Sequence, residues 1–215
     1  PVPVIPEQFV VDNVETDATG SIVVKQRLVY DQDNRRSHMT ADGSLAHGHL
    51  EQILRCDLAP TGSYFLNVGG PDSTDPSSWS CVNRSMGNGS GEAFNDFWDA
   101  NKSATYEGVE VLEDGTPCDH WTWFNPANVQ YGWWTVKDKA IPARLACLGV
   151  QKWQMDFTNF TAGPPALSFY QPPAGLGKCT PALAAANDNK EDTLAQARMH
   201  MTLTGIIQQH RRRHN

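Results

Sequence analysis

The stretch that decides the fold is Ser21–Asp31, SIVVKQRLVYD. Ile22, Val24, Leu28 and Tyr30 fall on one side of an extended chain, with Lys25 and Arg27 on the other. That period of two marks a half-buried β-strand. Asp31-Gln32-Asp33-Asn34 then supplies turn residues, and Arg35–Met39 runs back toward Asp42-Gly43. A hairpin here predicts an antiparallel sheet, and the flanking sequence extends it. His49–Cys56 reads as a short helix or another strand, and Tyr64–Val68 as a strand stopped by Gly69-Gly70-Pro71.

Further along, Tyr106, Val109 and Val111 lead into Glu113-Asp114-Gly115, a hairpin signal. The return strand carries Cys118, Trp121 and Trp123. Val129–Val136, Ile141–Cys147 and Gln151–Phe157 follow as three more strands. In the last of these, Trp153, Met155 and Phe157 alternate with Lys152, Gln154 and Asp156. Asp72–Ser103 is loop-rich, with room for a short helix at Glu92–Asp99. Gly163–Cys179 is Pro- and Gly-rich, with Phe169 and Tyr170 as anchors. Asp188 followed by Glu191 resembles a capping box. Leu194, Ala197 and Met201 fall near helical spacing, so Asp188–Gln209 reads as one amphipathic helix with Gly205 as its weak point.

The expected fold class is α+β, mainly antiparallel β. A curved sheet or partial barrel occupies residues 1–180, and a helix with a basic tail occupies residues 181–215.

The chain has 215 residues, 40% hydrophobic and 19% charged, with a net charge of −7. No apolar run is long enough for a membrane-spanning helix. Seven Trp and the apolar fraction exclude a disordered chain. The acidity argues against a nucleic-acid binder. The only basic run, Arg211-Arg212-Arg213 flanked by His210 and His214, reads as a solvated tail or the remnant of a processing site.

A start at Pro1 without Met is what removal of a secretory signal would leave. Asn83, Asn88, Asn101 and Asn159 each open an Asn-x-Ser/Thr sequon, where composition alone gives about one or two. These observations predict a secreted, N-glycosylated protein. Cys56, Cys81, Cys118, Cys147 and Cys179 are widely spaced, with no Cys-x-x-Cys pair. That pattern disfavours a zinc ribbon or a thioredoxin-type site and suits long-range disulfides, two bridges and one leftover thiol.

In order along the chain, several motifs resemble the ependymin and ependymin-related proteins. They also resemble the non-catalytic domain that precedes the protease in some secreted papain-type enzymes. Tyr30-Asp31 is followed by Arg35-Arg36 and then Cys56; Gly115-x-x-Cys118-x-x-Trp121 comes next. Ile141-Pro142-Ala143-Arg144 resembles a Pro-Val-Arg strand, with Ala in place of Val. Phe157-x-x-Phe160, Phe169-x-x-Pro172-Pro173 and Cys179 close the series. The resemblance covers Val24–Cys179; Cys147 and the tail after Cys179 have no counterpart.

The resemblance implies a secreted, disulfide-bonded glycoprotein. Its sheet would be a deeply curved half-barrel of the bacterial lipoprotein-carrier type, enclosing an apolar pocket for a lipid or other hydrophobic ligand. It also implies calcium, although no calcium-loop signature is present, and no other cofactor is expected. The expected disulfide set is Cys56, Cys179, Cys81 and Cys118, with Cys56–Cys179 implied as one bridge. Either Cys81 or Cys147 is left as an unpaired cysteine or one bonded to a neighbouring chain.

The ligand-binding candidates are Trp121, Trp123, Trp133, Trp153 and Phe157, because alternate residues of a curved sheet point into its concavity. Adjacent Trp133 and Trp134 must split between faces. Ordinary core packing and a carbohydrate-stacking platform are the competing readings of these rings. Hydrolase signatures fail: Ser90 lacks the first Gly of Gly-x-Ser-x-Gly, and no cysteine has a papain-like context. His47-Gly48-His49 lacks a nearby carboxylate at ligand spacing, and an Asx-rich turn explains Asp31, Asp33 and Asn34. No enzyme is expected. The partners expected are a hydrophobic small molecule, or else copies or components of a larger extracellular assembly.

Overall fold

The computed structural model describes residues 5–43, 48–55, 57, 63–69, 75–85, 104–124, 128–150, 152–177 and 180–181. Twelve strands form one sheet: β1 (Gln8–Asp17), β2 (Ile22–Asp31), β3 (Arg36–Gly43), β4 (Gly48–Arg55), β5 (Ser63–Gly69), β6 (Ser80–Ser85), β7 (Thr105–Val111), β8 (Pro117–Phe124), β9 (Gln130–Val136), β10 (Pro142–Cys147), β11 (Trp153–Ala162) and β12 (Thr180–Pro181). Their order across the sheet is β12-β6-β5-β4-β3-β2-β1-β11-β10-β9-β8-β7. Two meanders therefore run away from a common seam, where β1 pairs antiparallel with both β2 and β11. Every pairing is antiparallel except the short β12–β6 pair.

The hairpins form for the reasons given by their turn residues, and the first of them, between β1 and β2, was not among those expected. Asp17 accepts from Thr19 N and Ser21 N at 2.8 and 3.1 Å, and Gly20 takes a positive φ of 81°. Asp114 accepts from Thr116 N at 2.8 Å, and Gly115 sits at φ 86°. Asp31 accepts from the Asn34 backbone N–H at 3.2 Å and from its side-chain amide at 2.9 and 3.0 Å, so the Asp31–Asn34 cluster is an Asx-type turn. His49–Cys56, open between helix and strand, resolves as strand β4 for Gly48–Arg55.

Register shifts at Val10/Asp12, Glu15/Thr16, Tyr106/Gly108 and Pro142/Arg144 each insert a bulge. Bulges bend strands and raise their twist. One connected cluster of buried residues reaches from Leu50 on β4 to Trp121 on β8 along a single face of the sheet. A curved sheet fits both the bulges and this burial. Ile22, expected with the buried set, is 57% exposed, because it opens β2 beside the turn and the β1–β2 register shifts there. Its successors Val24, Leu28 and Tyr30 are buried as expected.

The opposite face carries its own anchor. Tyr170, in the 3-10 turn Leu167–Tyr170, packs on Val29 and Ile53, with Phe169 beside it. Arg36 lies 5.6 Å over the Tyr170 ring, and Arg55 donates to the Tyr170 carbonyl at 3.3 Å. Asp57 pairs with both arginines, at 2.8 Å to Arg55 and 3.1 Å to Arg36. The Pro/Gly-rich segment is thus held where the sequence predicted anchors.

Some expectations lie outside the described residues: the helices at Asp188–Gln209 and Glu92–Asp99, residues 182–215 of the second segment, and the side chains of Cys56, Cys81 and Cys179. One is corrected. Cys118, expected in a disulfide, carries a free, buried thiol. It packs with Trp134 and Ala146, while eight strands separate β8 from β6, which carries Cys81. Burial, and next the nearby Asp114 charge, push the Cys118 thiol up to about 11. Cys147 is also free and buried.

Gly132 on β9 leaves room for its neighbours. A Cβ there would lie 2.3 Å from the Trp134 ring and 3.2 Å from His120 Nε2. Gly132→Ala should therefore destabilise the fold by about 1–3 kcal/mol, as overpacking does. Urea unfolding checks this; an unchanged midpoint would show that Trp134 is free to move aside.

Candidate functional site

Register fixes which side chains share the clustered face, here called the inner face. In antiparallel pairs, residues directly opposite lie on one face. Trp121 opposes Trp133, Trp133 opposes Leu145, Leu145 opposes Met155, and Met155 opposes Glu15. A second row runs Trp123, Tyr131, Cys147, Trp153, Asp17. A third runs Phe157, Asn13, Gln26, Ala41, Leu50. All five expected ligand-binding residues, Trp121, Trp123, Trp133, Trp153 and Phe157, therefore meet on one face, and all belong to or pack against one cluster.

Ring contacts link them. Trp123 stacks on Tyr131 at 5.5 Å, and Tyr131 meets Trp153 at 6.2 Å. Trp133 meets Phe157 edge-on at 5.7 Å, and Tyr106 meets Trp121 at 5.4 Å. Beyond the seam, Phe9 contacts Phe160 at 5.5 Å and Tyr30 at 5.4 Å. Trp134 turns to the outer face, as adjacency with Trp133 requires. There its ring stacks on His120 at 4.1 Å, and its indole N–H donates to Glu110 at 2.8 Å. Burial lowers the His120 pKa.

On β1 and β2, three buried polar side chains interrupt the apolar inner face, and sequence reading did not single them out. Asn13, Glu15 and Gln26 are 1%, 5% and 5% exposed. Asn13 Nδ2 and Oδ1, Glu15 Oε2 and Gln26 Oε1 have no hydrogen-bond partner among the described residues. Burial pushes the Glu15 carboxyl up to about 7. The signal that would have found them is parity: they stand in step with Phe9, Val11, Val24 and Leu28, where apolar residues belong.

A cavity of about 430 Å³ lies at one end of the sheet, between the β7–β8 and β9–β10 turns and β11. Its lining includes Phe157, Phe160, Leu112 and Arg144. Arg144 pairs with Asp156 at 2.6 Å and with Glu113 at 2.7 Å. Of the five ligand candidates only Phe157 lines it, so this cavity and the aromatic face are separate features. Glu113 and Asp156 serve that arginine.

Among the sequons, Asn159 is exposed on β11 and donates to Asp12 at 2.9 Å. An amide nitrogen carries two hydrogens, so this bond and a glycan linkage are compatible. Asn83 lies on β6, and Asn88 and Asn101 are outside the described residues. His49 pairs with Asp42 at 2.7 Å, and no group of three potential metal ligands occurs among the described residues. Among them, too, no helix is long and apolar enough to cross a membrane.

No family model matches the chain, and no curated protein matches it. Solved structures do. In the MucA/MucB complex of Pseudomonas aeruginosa, one chain is 14% identical over 80% of this chain and 58% of its own length, with a TM-score of 0.45. A structure of PNGF-II is 8% identical over 82% of this chain and 31% of its own, with a TM-score of 0.39. This chain thus spans less than two thirds of either.

Glu15 makes stability depend on pH. Its folded pKa lies above its unfolded value of 4.5, so the neutral acid favours the fold. Its contribution is complete below about 4.5 and is lost as pH rises through about 7. The loss is about 3 kcal/mol by linkage. Glu15→Gln should match the parent in acid and exceed it in denaturant midpoint at mildly alkaline pH. Parallel midpoints across that range would refute the assignment.

Proposed function

We propose that this protein is a secreted glycoprotein that binds a lipid or another hydrophobic ligand on the inner face of a deeply curved sheet. The observation that carries this reading is the gathering of Trp121, Trp123, Tyr131, Trp133, Trp153 and Phe157 on one face. Five of these are Trp or Phe predicted from alternation alone. Large rings supply apolar area at about 25 cal/mol per Å² buried, and few polar groups then suffice to orient a guest. The four sequons and the ordered ependymin-like motifs support an extracellular setting. A lectin-like role needs open ring faces, which the buried Trp121, Trp123, Trp133 and Trp134 do not present, and a hydrophobic guest must likewise enter by parting these packed rings.

A second reading, an interaction module of a larger assembly, draws on the sheet edge. β7 is a terminal strand, and its Tyr106, Val109 and Val111 are 52%, 51% and 64% exposed. An apolar edge with unpaired backbone groups is a template for an added strand.

Brominated fatty acids quench nearby indoles and separate the two readings. The ligand reading predicts saturable quenching of Trp emission, weakened in Trp123→Phe. Absence of quenching, with no lipid recovered by extraction and mass spectrometry, would overturn it. The edge reading predicts concentration-dependent sedimentation that Val109→Lys abolishes. A strict monomer in both forms would remove its support.

A further inference from the structure

The inner-face trio is expensive for a fold. A buried polar group without a partner costs about 1–3 kcal/mol, more if charged. Three of the four unpartnered atoms are acceptor oxygens: Asn13 Oδ1, Glu15 Oε2 and Gln26 Oε1. Asn13 and Gln26 stand directly opposite each other, and Glu15 is two residues along the same strand face. Resting on the hydrophobic-ligand reading above, we propose that these three residues receive the primary ammonium head of an amphipathic amine, whose apolar body lies along Met155, Phe157 and Trp133.

The chemistry fits on three counts. A primary ammonium has three donors and no acceptor, the complement of three acceptor oxygens carried by neighbouring positions of one face. A carboxylate among them adds charge-assisted hydrogen bonds, about twice as strong as neutral ones. Aromatic rings beside the site favour a cation over a neutral head.

The strands around the trio supply no cation from this face. By strand register, the described inner-face positions of β1, β2, β3, β4, β8, β9, β10 and β11 hold no Lys, Arg or His. Lys25, Arg27 and Arg144 all fall on the outer face, where Arg27 and Arg144 pair with Asp12 and Asp156. The other carboxylates at inner-face positions are engaged. Asp17 caps its turn through Thr19 and Ser21, and Asp119 accepts from Tyr106 and Asp138. Glu15 alone stands among apolar neighbours with an oxygen to spare. A free fatty acid would set like charge against it, and an alcohol would satisfy one acceptor only.

The test compares dodecylamine, dodecanol and dodecanoate, titrated against the full chain at about pH 8, where Glu15 is a carboxylate and the amine is still an ammonium, by Trp fluorescence and calorimetry. The amine should bind at least about tenfold more tightly than the alcohol, as a charge-assisted contact allows, with dodecanoate weakest. Glu15→Gln should bring amine and alcohol to within about twofold while leaving alcohol binding in place. Gln26→Met, of similar volume, should weaken the amine without changing the alcohol. Equal binding of all three probes, unaltered in Glu15→Gln, would overturn the ammonium assignment and leave the hydrophobic-ligand reading standing. No binding of any probe would overturn both.

Discussion

The seam between β1 and β11 is the constraint on which the sheet depends. Each meander is locally paired, but only β1 joins them, opposing β2 on one side and β11 on the other. Asp12 fastens the three strands on the outer face. It accepts two bonds from Arg27, at 2.7 and 3.1 Å, and one from Asn159 at 2.9 Å. Arg27 holds the Asp12 carboxyl below the usual carboxylate range. These side chains are partly exposed, so their contribution is modest. Most of the hold comes from the other side, where Phe9 and Val11 are buried at 0% and 1% exposure in the shared core. Without the seam, each meander would present half a core to water.

Most strands were legible because one face is wet and the other dry, which writes a period of two into the chain. Ser21–Asp31 and Trp153–Phe157 show it plainly. The strand β1 was not legible, although it is central. Its apolar alternation stops after Val11, because Asn13 and Glu15 occupy the next two inward positions. The rule that failed is alternation itself, which two buried polar residues break. The aromatic set was legible as a set, since each Trp sits on a strand whose register places it inward. The cysteines were not, because spacing says nothing about sheet order: the strand that carries Cys118 lies far across the sheet from the one that carries Cys81.

The two faces divide their labour. On the outer face, many polar side chains are paired, Arg144 with two carboxylates, Arg36 and Arg55 with Asp57, Trp134 with Glu110, while Tyr170 O–H and His120 Nε2 lack a partner among the described residues. There, charge is used to position loops and hairpin ends. On the inner face, Asn13, Glu15 and Gln26 are buried and left with unpartnered atoms amid rings. A chain selected for stability alone would place apolar residues of like volume at those positions.

The order of the strands also bears on how the chain is made. Apart from the seam and the short β12–β6 pair, each paired strand pairs with its neighbour in sequence, so hairpins can close as the chain emerges during synthesis. The edge of β1 is the exception, because its partner β11 begins only at Trp153. For most of translation, Phe9, Val11 and the open edge of β1 wait for a strand not yet made.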